Sequence, residues 1–274
     1  MNSVKGKSVL ITGAGRGIGK RLALGFAAEG ARVGLLARSQ PELDLAKLEI
    51  EQAGGQALRL RADVRDPEDL AHAVERMRGS FGGLDVLICA AGVQGPIGPF
   101  LLTKPKAWNE TVEINLIGTA NACRVALPSM VEKRSGKIIL ISGGGSAYAR
   151  PNFSAYSVSK TAVVRLGENL AAEVGDHNVQ VNIIAPGAAY STMTDEILRA
   201  GEERAGRKEI EDAERVRVTG GIPAEKQIAL ALFLASEQSN HISGKLIHVN
   251  DDWRRLEQEN MKSELFTLRR VQRI

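Results

Sequence analysis

The chain has 274 residues, 43% hydrophobic and 25% charged, a balance that suits one large α/β domain with a sizeable core. Its net charge of +4, from 36 basic and 32 acidic residues, is too small and too dispersed to mark nucleic acid or a membrane surface as the main partner. Two isolated cysteines (Cys89, Cys123), four histidines without ligand spacing and no apolar run of membrane length give the expectation of buried free thiols, no metal and a cytoplasmic location.

Short apolar runs at 8–11, 32–36, 57–60, 84–89, 136–142, 179–184 and 245–249 read as strands, and longer helix-patterned stretches separate them. Such alternation means repeated βαβ units. Strands this continuously apolar are expected to be buried on both faces, so the fold class is α/β: a doubly wound parallel sheet of about seven strands with helices on both faces. Ligands of such a sheet bind at the carboxyl ends of the strands, near the point where strand order reverses.

The first strand runs into Thr12-Gly13-Ala14-Gly15-Arg16-Gly17-Ile18-Gly19 and then a helical pattern. Gly13 can take a tight turn, Gly17 lets backbone approach a pyrophosphate, Gly19 lets helix and strand pack closely, and the helix N-terminus favours the anion. The second strand ends Ala37-Arg38-Ser39. An acid there would bind the ribose hydroxyls of NAD, whereas arginine favours a 2′-phosphate, so Arg38 and Arg16 point to NADP(H) over NAD(H). Further on, Ser154-Ala155-Tyr156-Ser157-Val158-Ser159-Lys160 places a phenol and an ammonium one turn apart on one helix face. A phenol titrates near ~10 and carries protons at neutral pH only when a nearby cation stabilises its phenolate, a role open to Lys160.

The Thr-Gly-x-x-x-Gly-x-Gly loop together with Tyr156-x-x-x-Lys160 resembles the short-chain dehydrogenase/reductases, over roughly residues 5–250. The resemblance implies a Rossmann-type fold and hydride transfer between a nicotinamide and a small carbonyl or secondary alcohol. It implies Tyr156 as acid/base, with Lys160 lowering its pKa and gripping the nicotinamide ribose. Asn115, in Ile114-Asn115-Leu116, would hold a helix kink and a water of the proton relay. It also implies Asp63-Val64 near the adenine, Ala91-Gly92 beside the cofactor, Pro186-Gly187 after the sixth strand, and Ser191, with Thr192 as its fallback, on the nicotinamide amide. A homodimer or homotetramer follows from the same resemblance. So does a substrate lid around 188–222, whose many charges also suit a solvated helical surface.

Three departures stand out. Cys89-Ala90 replaces a usual pair of asparagines, and Asp251-Asp252 replaces a closing Gly-Gly. The chain then continues through 253–274, where Trp253, Leu256, Met261, Leu265, Phe266, Leu268, Val271 and Ile274 predict an ordered extension packing on its own or a neighbouring subunit. Most consequential is the serine usually found thirteen residues before the tyrosine, which is Gly143 here, within Ser142-Gly143-Gly144-Gly145-Ser146. A donor of that kind is worth roughly 2.7–4 kcal/mol in the transition state. Either Ser142 or Ser146 takes its place, or backbone N–H groups or the substrate do, or the chain is a cofactor-binding scaffold with little turnover. Tyr148, Asn152, Gln94 and Tyr190 would suit a polar pocket for a hydroxylated substrate.

Overall fold

The computed structural model describes residues 4–257 and 265–269. Seven apolar runs become strands β1 (Ser8–Thr12), β2 (Arg32–Ala37), β3 (Gln56–Arg61), β4 (Val86–Cys89), β5 (Gly136–Ile141), β6 (Val179–Ala185) and β7 (Leu246–His248). All pair in parallel in the order β3-β2-β1-β4-β5-β6-β7. The order reverses between β1 and β4, which opens the crevice expected of a doubly wound sheet. Burial on both faces holds for the central strands but not for β3, where Leu60 alone is buried. An edge strand has one neighbour, and the exposed Arg59 of β3 pairs with Asp44.

The helices divide between the two faces. Leu22 and Phe26 of α1 (Gly17–Ala28), Leu43 and Ile50 of α2 (Gln40–Gln52), and Leu230 and Phe233 of α9 (Ala224–Ala235) share one core. On the other face are Leu70 and Met77 of α3 (Pro67–Phe81), Met130 of α5 (Gly118–Glu132) and Val163 of α6 (Ser154–Val174). Between α4 (Pro105–Val112) and α5 the chain winds into one π-helical stretch, Glu113–Ile117. Such π turns often mark functional positions. Helices α7 (Thr192–Ala205) and α8 (Arg207–Thr219) rise over the carboxyl end of the sheet, kinked at Gly201 (φ 74°). Among the described residues no helix is long and apolar enough to cross a membrane.

After β7, the turn Trp253–Glu257 places Trp253 against Phe233, with ring centroids 5.0 Å apart and planes 29° from parallel. Leu256 is buried beside it. Residues 265–268 lie along the free edge of β7, where the Leu246 N–H donates to the Phe266 carbonyl at 2.7 Å. The Leu268 N–H donates to Glu168 at 2.8 Å, and Arg165 donates to the Leu268 carbonyl at 2.7 Å. Met261, Val271 and Ile274 lie outside the described residues. Because Trp253 is buried and stacked, Trp253→Ala is expected to lower stability by about 3 kcal/mol. A shifted denaturant midpoint at unchanged slope would show it; a midpoint within error of wild type would refute it.

Candidate active site

A cavity of about 1470 Å³ lies over the carboxyl ends of the strands, between the glycine-rich loop and the α7–α8 pair. Gly13 takes a left-handed turn (φ 68°), and a Cβ there would stand 2.7 Å from the Cα of Ala91. A Cβ on Gly19 would overlap the Gly13 carbonyl, so helix and loop meet only because neither carries a side chain. Gly17, at φ 56°, has nothing within 4 Å of its missing Cβ. Helix α1 begins there with no side-chain cap from Arg16, leaving its first N–H groups toward this open space. A cradle of this shape and polarity fits a pyrophosphate.

Arg16 and Arg38 line the same end, with Gly15 and Ile18 beside them. The Arg38 side chain is 56% exposed and reaches Asp63 only at 4.0 Å. Asp63 is instead engaged by Arg65 at 2.6 Å, which holds its carboxyl below the usual range, while Val64 stands next to it on the wall. Glu42 was not among the residues singled out from sequence. A Cβ on Gly15 would meet its Oε2 at 2.9 Å, so an acid does stand at the end of β2, contributed by α2. Ser39-x-x-Glu42 carries the signature of a capping box. Ser39 does accept from the Glu42 N–H at 3.4 Å, while the carboxylate lies beside Gly15.

At the other end, Tyr156 and Lys160 project from α6 and are almost fully buried. Lys160 Nζ donates to the Ile141 carbonyl at 2.9 Å, and burial without a carboxylate lowers its pKa to about 8. A Cβ on Gly92 would lie 3.2 Å from Asn115 Oδ1 and 3.4 Å from Lys160 Nζ, so these two groups flank one point of the wall. Asn115 lies in the π-helical stretch just behind the cavity. Its Nδ2 donates to the Val93 carbonyl and to Ser159 Oγ, both at 3.0 Å, and its Oδ1 accepts from the Val93 N–H at 2.8 Å. Where the asparagine pair is replaced, the Ala91 N–H donates to Thr12 Oγ1 at 3.1 Å and Cys89 sits buried as a free thiol. Pro186, Gly187 and Ser191 line the cavity beside the α7–α8 pair, and the Ser191 N–H donates to Thr194 Oγ1 at 3.2 Å. Among the described residues, no group of acids, histidines and cysteines has the arrangement of a metal site.

The turn after β5 departs from expectation most. A Cβ on Gly143 would overlap the Tyr156 hydroxyl and stand 2.9 Å from two ring carbons, so the phenol rests on bare backbone where a serine is usual. Ser142 continues β5 by donating its N–H to the Ile184 carbonyl at 2.9 Å, and its buried Oγ has no partner among the described residues. Both Ser142 and Ser146 line the cavity. Burial pushes the Tyr156 phenol up, and the charge that opposes this is Arg150. The Lys160 ammonium, expected in that role, rests on the Ile141 carbonyl and stands 5.9 Å from the ring centre, as near as the Arg150 guanidinium at 5.8 Å. Of the four polar pocket candidates, Tyr148 and Tyr190 line the cavity. Gln94 is buried outside it, and Asn152 does not line it: its carbonyl accepts from the Gly98 N–H at 2.9 Å, and its Nδ2 lies 3.8 Å from where a Cβ on Gly206 would sit.

The comparisons agree with this geometry. The family model for short chain dehydrogenases matches residues 7–202. Oxidoreductase UcpA of Escherichia coli K12 is 34% identical over 253 residues, covering 89% of this chain and 93% of that protein. The 3-oxoacyl-[acyl-carrier-protein] reductase FabG of Staphylococcus aureus is 31% identical, covering 89% and 96%. Among solved structures, levodione reductase superposes with a TM-score of 0.82 at 28% identity, over 91% of this chain and 98% of that one. A 3-oxoacyl reductase from Brucella melitensis was solved with NAD (TM-score 0.77, 29% identity, 90% and 91% covered). A gluconate 5-dehydrogenase from Burkholderia cenocepacia was solved with NADP and tartrate (TM-score 0.79, 26% identity, 90% and 94% covered). The chain belongs to the short-chain dehydrogenase family, whose members are oxidoreductases that use nicotinamide cofactors.

Because the phenol occupies the space above Gly143, restoring the usual serine is expected to harm the site. Gly143→Ser and Gly143→Ala should both displace Tyr156 and lower turnover by tenfold or more, about 1.4 kcal/mol or more of transition-state stabilisation. Steady-state kinetics on both variants decides this, and a serine variant faster than wild type would show that the glycine merely lacks a donor.

Proposed function

We propose that the protein catalyses reversible hydride transfer between NADP(H) and a small carbonyl or secondary alcohol in the cytoplasm, with Tyr156 as acid/base. One observation carries the reading: a single cavity joins an uncapped glycine cradle to a buried phenol and ammonium. The cofactor, when bound, supplies or accepts the hydride. On reduction Tyr156 Oη donates its proton to the forming alkoxide, and on oxidation it takes the proton of the alcohol. Lys160 holds the nicotinamide ribose, and Asn115 keeps the wall beside it in register through Val93 and Ser159. Ser142, with an unpartnered buried hydroxyl, is the side chain best placed to replace the missing serine donor.

The half-exposed guanidinium of Arg38 and the nearby Arg16 favour NADP(H), while Glu42 opposes a 2′-phosphate and narrows the preference. Two buried free thiols suit a reducing compartment. The exposed Val158 of α6 and Ile117, which ends the π-helical stretch just before α5, suit a homodimer or homotetramer built across these helices. A second reading, a cofactor-binding scaffold with little turnover, has Gly143 in its favour.

Absorbance assays with NADPH and NADH against aldehydes, ketones, sugars and secondary alcohols separate the two. Turnover with NADPH is expected, falling about 10²–10⁴-fold in Tyr156→Phe. Arg38→Ala should lower NADPH efficiency about tenfold while leaving NADH within a few-fold. Tight binding of either cofactor with no turnover on any substrate would establish the scaffold.

Lys160 adds a pH signature. Its ammonium is present below about 8 and is lost as pH rises through that value. NADPH affinity should therefore weaken above about pH 8, and the weakening should vanish in Lys160→Met. Fluorescence titrations from pH 6.5 to 9.5 test this; a flat wild-type profile would exclude Lys160 from cofactor binding.

A further inference from the structure

Arg150 lies in the loop between β5 and α6, six residues before Tyr156, and its side chain is only 12% exposed. Its guanidinium is held edge-on by Glu209 of lid helix α8, with Nε donating to Oε1 at 2.9 Å and Nη2 to Oε2 at 2.6 Å. It also lies 3.9 Å from the centre of the Phe153 ring. The Tyr156 ring centre is 5.8 Å away. A guanidinium carries five N–H donors, and the Nη1 pair has no partner among the described residues. Nη1 stands 3.7 Å, and Tyr148 Oη 3.2 Å, from the point where a Cβ on Gly144 would sit. Both residues line the cavity.

The other charged groups on this wall are satisfied elsewhere. Asp195 accepts from Tyr190 Oη at 3.1 Å, Asp212 from Arg215 at 2.6 Å, and Lys160 donates to the Ile141 carbonyl at 2.9 Å. A pair that served only to fasten the lid would work at the solvated rim, where desolvation costs little. This pair is largely buried beside the catalytic phenol, with a donor edge left over.

We propose that Arg150 Nη1 and Tyr148 Oη form an anion subsite at the substrate end of the cavity. The substrate then carries a carboxylate or phosphate a few carbons from the carbonyl or alcohol that faces Tyr156. Glu209 acts as a positioning residue: it fixes the plane of the guanidinium and ties it to the lid. The inference rests on the hydride-transfer reading and names the substrate class for that same site.

Matched pairs test it without a variant. Acetoacetate against its methyl ester, levulinate against methyl levulinate, and dihydroxyacetone phosphate against dihydroxyacetone are each assayed with NADPH, and each is titrated calorimetrically into the NADP⁺-loaded protein. The anionic member of at least one pair should be favoured about tenfold or more in kcat/KM and in affinity. The carboxylate and phosphate arms identify which anion fits. In Arg150→Gln the ratio within that pair should collapse toward one, with Arg150→Lys retaining part of it. Glu209→Gln should raise KM for the anionic member more than it lowers kcat.

Equal treatment of anionic and neutral members by the wild type would overturn the inference. So would an Arg150→Gln variant that slows both members alike and displaces the pH profile, since Arg150 would then act on Tyr156 rather than on substrate. Selective binding of the anions without turnover would uphold the subsite and count against hydride transfer. Turnover of neutral substrates alone would do the reverse.

Discussion

The rest of the site is arranged around a buried ammonium. Lys160 is 4% exposed, and its hydrogen-bond partner is the neutral carbonyl of Ile141 rather than a carboxylate. Burial of a cation without an opposing charge is unfavourable, and the depressed pKa of about 8 expresses that cost. A fold that sought only stability would fill this position with an apolar residue. Several other features make room for the charge. Gly92 is bare where Asn115 and Lys160 approach each other, and Asn115 is locked on three sides in a π-helical stretch. The ammonium is set to gain from an anionic or hydroxyl-rich ligand arriving in the cavity.

Gly143 changes how that charge is used. With no side chain at 143, Tyr156 settles against backbone, and burial makes its phenol a weaker acid. Lys160 is held at Ile141, and a second cation, Arg150, stands as near the phenol ring from outside the helix that carries the tyrosine, at 5.8 Å against 5.9 Å. Arg150 in turn is held by Glu209 of α8. The electrostatics of the Tyr156 phenol are thereby linked to the α7–α8 pair, which is itself tied to the loop after β4 where Arg204 Nε donates to the Ile97 carbonyl at 3.0 Å.

Local patterns made most of the framework legible from sequence: strand-forming runs, a glycine loop between strand and helix, and a phenol and ammonium one turn apart. These signals depend on neighbours within a few residues. Arg150–Glu209 spans 59 positions, and each member sits among other charged or polar residues, so no periodicity marks the pair. Ser39-x-x-Glu42 has the spacing of a helix start, but that spacing does not reveal where the Glu42 carboxylate goes. Gln94 and Asn152 have pocket chemistry, yet backbone direction carries one into the interior and the other toward Gly206, off the cavity wall. Side-chain type was readable in each case, whereas side-chain direction came from tertiary packing.

The α7–α8 segment brings these points together. Its ends close on each other, with the Tyr190 N–H donating to the Gly220 carbonyl at 3.1 Å and the Ile222 N–H to the Ala188 carbonyl at 2.7 Å. Its surface ion pairs, such as Arg207–Glu202, are well exposed and contribute little. The apolar underside matters more: Ile197, Ala205 and Ala213 pack with Ile97 on the fully buried Phe153 ring, and one such ring contributes roughly 1.5–3 kcal/mol. Phe153 is also the ring on which Arg150 stacks. The contact that seats the α7–α8 pair therefore also places the guanidinium 5.8 Å from the centre of the Tyr156 ring.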